Sequence, residues 1–411
     1  MAAIRFLAVT LTLWWLPEVA TYTYRPLGKF DVPHPSFVEV LTCKEGATPT
    51  LWITEFSPLS SGRISAVQNL TALYPDFSKA EPIVVSDGFL WPNEVARAPD
   101  ELGDYLVVCD GFLVPLKSTG GVYLLESNCT GPLHAVNRIE LTTPKTSWFY
   151  HMTRWRDMNG DGKLDLITAR ATKPIIGSAG GQLLWLEQPQ TDPLKNVPWE
   201  EHVLADGPDV IFTVADLDPA DNVFEVFAAE FFSQKLSVLT ISSTNSTVIG
   251  SRDIDVTIGP ADCVSVVDLN ADGTEDLLVS NHEGDAGGSV YGYEIPQDVL
   301  GGTYTRHQIA TDFPVTEKGS NQASPGFVYA FRPNANYTGK PYILIAGDGS
   351  QRAYLLQPTS EEFSYNRTEV LAVNGVVGTV GIGEGIGPNG WTEFFVPDYD
   401  EGIVYAYIFD D

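Results

Sequence analysis

The sequence predicts an all-β chain, a seven-bladed β-propeller of four-stranded antiparallel blades, and three observations predict it. A short apolar run rich in β-branched residues recurs seven times, at starts 51 to 66 residues apart. Two of these runs follow a loop built from Asp, Asn and Gly. After most of them comes a glycine-containing turn and a second apolar run, the signature of a hairpin.

The recurring runs are Leu51–Glu55, Tyr105–Asp110, Asp165–Arg170, Glu225–Glu230, Asp276–Asn281, Tyr342–Gly347 and Glu393–Asp398. Each is read as the second strand of its blade. Third strands follow at Gly121–Leu125, Gly181–Leu186, Gly288–Tyr293 and Gly402–Tyr407, and first strands precede at Phe212–Ala215, Cys263–Val267 and Phe327–Phe331. A fourth, more polar strand fits Glu201–Leu204, Thr305–Ile309 and Thr368–Leu371. Inner strands are nearly all apolar because both faces meet neighbouring blades, and the outer strand is mixed because it meets solvent. The last unit stops after its third strand, so Thr21–Phe30 is expected to supply the missing outer strand and close the ring. No linker divides residues 21–411, which are read as one domain.

The loop before the third run carries Asp157, Asn159, Asp161 and Asp165 at positions 1, 3, 5 and 9, with Gly162 at position 6 and the Lys163 carbonyl at position 7. Asp268, Asn270, Asp272, Asp276, Gly273 and the Thr274 carbonyl repeat the arrangement. Hard oxygen ligands at this spacing, turned by a glycine, suit calcium. An EF-hand would place a bidentate glutamate at position 12 and a helix on each side. Position 12 here is Thr168 or Val279, inside β-branched runs, so the loops join strands. A third unit, Asp216–Glu225, keeps acidic residues but lacks the central glycine and has one residue more.

On these residues the chain resembles the FG-GAP/VCBS family of calcium-loop propellers, the architecture of integrin α-subunit heads. The resemblance rests on Asp157 to Leu166 and Asp268 to Leu277, and it implies two structural calcium ions, with a third at Asp216–Glu225 less well supported. A smaller resemblance, through Phe149-Tyr-His151-Met152, is to the propeller of fungal aldos-2-ulose dehydratase, a secreted lyase acting on oxidised sugars. Family members serve as adhesion modules, lectin-like domains and enzyme scaffolds, so the fold does not choose among roles.

The 411 residues are 44% apolar and carry 53 acidic against 24 basic side chains, a formal charge of −29. That balance repels nucleic acid and anionic membranes and favours cations, cationic surfaces or neutral glycans. Residues 1–20, with Arg5, an apolar run from Phe6 to Leu16, Pro17 and Ala20, read as a secretory signal peptide too short to span a bilayer. Acceptor triplets at Asn69, Asn128, Asn245, Asn336 and Asn366 agree with secretion and predict a glycoprotein. Cys43, Cys109, Cys129 and Cys263 allow two disulfides in three connectivities and show no zinc spacing.

Aligning the seven second strands places their last residues at the channel mouth opposite the calcium loops: Glu55, Asp110, Arg170, Glu230, Asn281 with His282, Asp348 and Asp398. Glu94, His151, Asp209 and Asp262, which lead into first strands, are expected to open onto the same mouth. Such a ring of carboxylates could take a cation, a polyol or a cationic peptide, and turns also favour Asp and Asn for their own sake. His151 beside Arg170 and Glu230 is the place where acid/base chemistry is expected. Trp91, Trp148, Trp155 and Trp391 lie near blade starts, where they could stack on sugars or fill space between blades. Gly385–Gly390 fits G-x-G-x-x-G but precedes a strand, which excludes a dinucleotide site; H-E-x-x-H and G-x-S-x-G are absent. The expectation is a secreted calcium-binding recognition or matrix protein with a glycan or protein ligand at the mouth. The alternative is a sugar lyase or isomerase with a further metal there and His151 as base or ligand.

Overall fold

The computed structural model describes residues 22–410 apart from 43, 45–46, 58–60, 112–118, 128–130, 132, 134–135, 175–176, 210, 285–286 and 317–321. The expected leader, Asn128, Cys43 and Cys129 therefore lie outside the described residues, while Cys109 and Cys263 are buried free thiols. Seven four-stranded antiparallel sheets form a seven-bladed propeller. From the channel outwards, blade 1 is Pro35–Leu41, Thr50–Glu55, Gly62–Val67 and Ile83–Phe89. Blade 2 is Val95–Arg97, Tyr105–Cys109, Val122–Glu126 and Arg138–Glu140. Blade 3 is Phe149–Arg156, Asp165–Thr172, Gly180–Glu187 and Glu200–Asp206, and blade 4 is Ile211–Ala215, Val223–Glu230, Lys235–Ser242 and Val248–Asp255. Blade 5 is Ala261–Val267, Asp276–Asn281, Val290–Glu294 and Thr305–Ala310, and blade 6 is Val328–Phe331, Tyr342–Ala346, Arg352–Pro358 and Tyr365–Ala372.

Blade 7 joins Gly381–Gly383, Glu393–Asp398 and Ile403–Asp410 to the N-terminal strand Thr23–Asp31, as the missing outer strand required. The pairing runs from Thr23 opposite Asp410 to Asp31 opposite Ile403, reinforced by Thr23 Oγ1 donating to Asp410 Oδ1 at 2.8 Å and by the Arg25–Asp410 ion pair. A bulge between Pro26 and Gly28 bends this strand over the turn Phe77–Lys79. Gly28 sits there at φ 129°, and a Cβ would stand 2.8 Å from the Ser78 nitrogen, so only glycine fits.

The second strands of blades 1, 5 and 7 are buried at every residue, whereas the outer strand of blade 6 is mostly exposed. The core accordingly lies between blades. Ile53 and Val38 of blade 1 join Phe395 and Val404 of blade 7 in one cluster, and Phe394 and Val396 join Tyr342 and Leu344 of blade 6 in another. Burial of this apolar surface, at about 25 cal/mol per Å², makes the ring one cooperative body. Among the described residues no helix is long and apolar enough to cross a membrane.

Candidate functional site

A cavity of about 620 Å³ opens at the channel mouth opposite the calcium-type loops. Seven aromatic residues line it, Phe37, Phe56, Trp91, Phe231, Phe232, Phe327 and Tyr399, among small and aliphatic ones. Phe56 and Trp91 stack in parallel at 5.3 Å, and Trp91 is fixed by its indole N–H donating to the Ser57 carbonyl at 3.1 Å. His151 lies against Phe37, at 5.4 Å edge-on, and Phe327, at 5.9 Å stacked. Burial pushes its pKa down to about 3, so the ring is neutral, an aromatic member of the wall.

The charged part of the wall is Asp262, His282 and Asp348. His282 Nε2 and Asp348 Oδ2 stand 2.9 Å apart. Burial disfavours the charged ring, but the bond to Asp348 and the fields of Asp262 and Asp348 outweigh it and raise the His282 pKa to about 9. Asp262 is pushed up to about 6, first by burial and then by Asp348, with His282 pulling the other way. At neutral pH the mouth thus holds an imidazolium between two carboxylates. Lys173 stands at the rim with its Nζ 4.8 Å from the Phe232 ring centroid.

Of the twelve residues expected at the mouth, His151, Asp262, His282 and Asp348 line the cavity; Glu55, Glu94, Asp110, Arg170, Asp209, Glu230, Asn281 and Asp398 do not. The reason is local. Asp110 accepts from the backbone nitrogens of Leu90 at 2.9 Å and Gly121 at 2.8 Å. Arg170 is 2% exposed and held by Gln182, Tyr150 and Glu201. Glu230 accepts from Ser237 Oγ, and Asp398 accepts from the Glu401 nitrogen. Glu55 with Ser65 and Asn281 with Ser289 repeat the pattern. The last residue of most second strands ties down its own hairpin. His151 is therefore not joined to Arg170 and Glu230, and the ring of convergent carboxylates does not form.

Glu94 turns down the channel instead. It accepts from the Thr153 nitrogen at 2.6 Å and pairs with Arg154 at 2.7 Å. Glu39, nearby, is pushed up to about 8 by burial and by Glu94, against the pull of Arg154. Asp209 caps the turn after blade 4's second strand, accepting from Phe231 and Phe232 nitrogens. Of the four tryptophans singled out in the sequence only Trp91 reaches the cavity; Trp148 faces Arg170, Trp155 meets Trp199 and Trp391 meets Tyr22.

On the opposite face the two Asp/Asn/Gly loops fold alike. Asp157 accepts from Gly160 and Gly162 nitrogens at 2.7 and 2.9 Å, and Asp268 accepts from Ala271 and Gly273 nitrogens at 2.7 and 2.9 Å. Asn159 and Asn270 accept from the nitrogens of Asp161 and Asp272, which in turn accept from those of Lys163 and Thr274. Asp165 and Asp276 anchor the loops through the Met158 and Leu269 nitrogens. Gly160, Gly162 and Gly273 have positive φ and open space where a side chain would be. The donor set, all oxygen, fits a hard divalent cation, with Asn159, Asn270 and the carbonyls of Lys163 and Thr274 needed beside the carboxylates. In the third loop Glu225 keeps the anchor, to the Leu217 nitrogen, but Asp216 pairs with Arg156 at 2.9 Å. An arginine takes up the carboxylate that would start a third cation site.

Among the described residues the one group of three His, Cys, Asp or Glu side chains with ligand atoms within 4.8 Å of one another is Glu187, Glu200 and His202, on the outer strands of blade 3. The described residues of the mouth form no such trio. The acceptor asparagines Asn69, Asn245, Asn336 and Asn366 are all exposed.

No family model matches the sequence, and no curated protein matches it. Similar solved structures include a luciferin-regenerating enzyme, 10% identical with a TM-score of 0.46 over 87% of this chain and 97% of that one. Another is a "putative 6-phosphogluconolactonase" from Bacteroides uniformis ATCC 8492, 15% identical with a TM-score of 0.45 over 84% of this chain and 85% of that one.

Proposed function

We propose that the chain is a secreted, calcium-stabilised recognition propeller of the FG-GAP/VCBS kind, and that its ligand is a glycan held in the aromatic cavity. One observation carries this reading: the rings of Phe37, Phe56, Trp91, Phe327 and Tyr399 line one cavity with Asp262, His282 and Asp348. Aromatic faces suit the C–H face of a sugar, and a paired imidazolium and carboxylate can exchange hydrogen bonds with its hydroxyls. A neutral, hydroxyl-rich ligand suits a site in which His282 is already paired with Asp348 and so offers hydrogen bonds rather than an unpaired charge. Calcium on the far side would hold two blade corners without touching the ligand. Glycan-array and calorimetric binding should fall at least tenfold in Trp91→Ala and in Phe327→Ala; full binding by both variants would remove the cavity from consideration.

A second reading, a lyase or isomerase resembling aldos-2-ulose dehydratase, is favoured by the His282–Asp348 pair lying in one cavity with a neutral histidine. In that role the His282 imidazolium would give a proton to a leaving oxygen, and Asp348 would hold the ring in position. It requires turnover of a keto-sugar that is lost in His282→Gln. No change in any member of a keto-sugar panel would dismiss it.

A further inference from the structure

Strand direction alternates along every blade, so connections between first and second strands, and between third and fourth strands, share one face of the ring. The remaining connections share the other. The first face carries both calcium-type loops, 157–165 and 268–276. The second carries the cavity, with Phe56, Phe231, His282, Asp348 and Tyr399 in or beside turns between second and third strands.

Four acceptor triplets fall within the described residues, and every one is on the first face. Asn69 follows Gly62–Val67 and Asn245 follows Lys235–Ser242, both third strands. Asn336 lies between the first and second strands of blade 6. Asn366 is the second residue of Tyr365–Ala372, opposite Gln357 near the end of the third strand. At two of the sites the triplet's threonine already meets its asparagine: Thr71 Oγ1 donates to Asn69 Oδ1 at 3.1 Å, and Thr247 Oγ1 to Asn245 Oδ1 at 2.7 Å.

We infer that the chain carries N-linked glycans on the calcium-loop face and keeps the mouth face bare for its ligand. This rests on the secreted, mouth-binding reading above. In the modification, the asparagine amide nitrogen forms a bond to the anomeric carbon of a lipid-diphosphate-linked oligosaccharide. The bond from that carbon to the diphosphate oxygen breaks, the lipid diphosphate leaves, and the amide proton passes to a base of the transferring enzyme. Each attached glycan is bulky and hydrated, so it bars macromolecules from its own face and leaves the other as the approach.

The test is expression in a eukaryotic host followed by glycopeptide mass spectrometry of the exported protein. Sugar is expected at Asn69, Asn245, Asn336 and Asn366. A chain that is not exported overturns the secreted reading together with this one, whereas an exported chain with all four asparagines bare overturns this inference alone. A second arm uses Val376→Thr, a swap of similar shape at the cavity wall that completes a triplet at the exposed Asn374 on the mouth face; the pair Val376→Thr with Asn374→Gln carries the same wall change without the glycan and is its control. Binding of the strongest array glycan should fall at least tenfold in that variant and return when Asn374→Gln is added. Enzymatic removal of the native glycans should change it less than twofold. Unchanged binding with Asn374 occupied, or loss of binding on removing the native glycans, would overturn the assignment of faces.

Discussion

The two faces of the ring use the same residue type in opposite ways. On the face of the two Asp/Asn/Gly loops Asp157, Asp161, Asp268 and Asp272 are bonded to the backbone of their own loops, with Asp161 and Asp272 exposed and Asp157 and Asp268 half-buried. On the mouth face Asp110, Asp209 and Asp398 are 0 to 1% exposed and fasten turns. An exposed, loop-ordered carboxylate can still give lone pairs to a cation. A buried one committed to N–H groups serves the fold, so acidity alone does not mark a binding site; what the neighbours leave free does.

The hardest test of this contrast is to withdraw calcium. With each site at 100 times its Kd, two ions stabilise by about 5 kcal/mol, so chelation should lower the Tm by several degrees. Asp157→Ala with Asp268→Ala should abolish the difference in scanning calorimetry between calcium and chelator. An identical Tm under both conditions for the unaltered protein would break the comparison at its root.

A smaller effect is expected at the mouth, from pH. The folded pKa of His282, about 9, lies above its ordinary 6.5, so its contribution to stability is complete below pH 6.5 and is lost as pH rises through 9. Between pH 7 and 9 Asp262 is ionised while Glu39, pushed up to about 8, titrates as well, so it is the difference between the unaltered protein and His282→Gln that isolates the imidazole. Urea midpoints should fall across this window in the unaltered protein and less steeply in His282→Gln; parallel slopes would contradict the pairing with Asp348.

The slightest effect sharpens the contrast within the calcium-loop face. Asp216→Ala removes a partly exposed ion pair with Arg156, costing less than about 1 kcal/mol, and should leave calcium stoichiometry unchanged by titration calorimetry. A fall in stoichiometry would show that the third loop binds after all.

The blades were legible in the sequence because inner strands are apolar on both faces: the runs at Asp165, Asp276 and Glu393 begin strands at those residues. The closing strand was legible because the last unit was one strand short. The mouth was misread by one residue. Glu55, Glu230, Asn281 and Asp398 end their strands pointing at their own hairpins, and the next residues, Phe56, Phe231, His282 and Tyr399, line the cavity. Successive side chains on an extended chain face opposite ways, so a shift of one exchanges structural for cavity residues. Aligning the position after each strand end would have shown the aromatic series. The part played by Phe37 and Phe327 had no such signal, since which face of a first strand looks into the channel depends on how seven blades close.

The strand Thr23–Asp31 is synthesised six blades before the strand it pairs with, Ile403–Asp410. A growing chain must therefore carry an unfilled sheet edge until Ile403–Asp410 has emerged, and no product cut short of that strand can seal the ring. Joining Thr23 to Asp410 through a short linker and cutting between any two blades should yield a permuted ring in which each sheet is complete as soon as its own four strands have emerged.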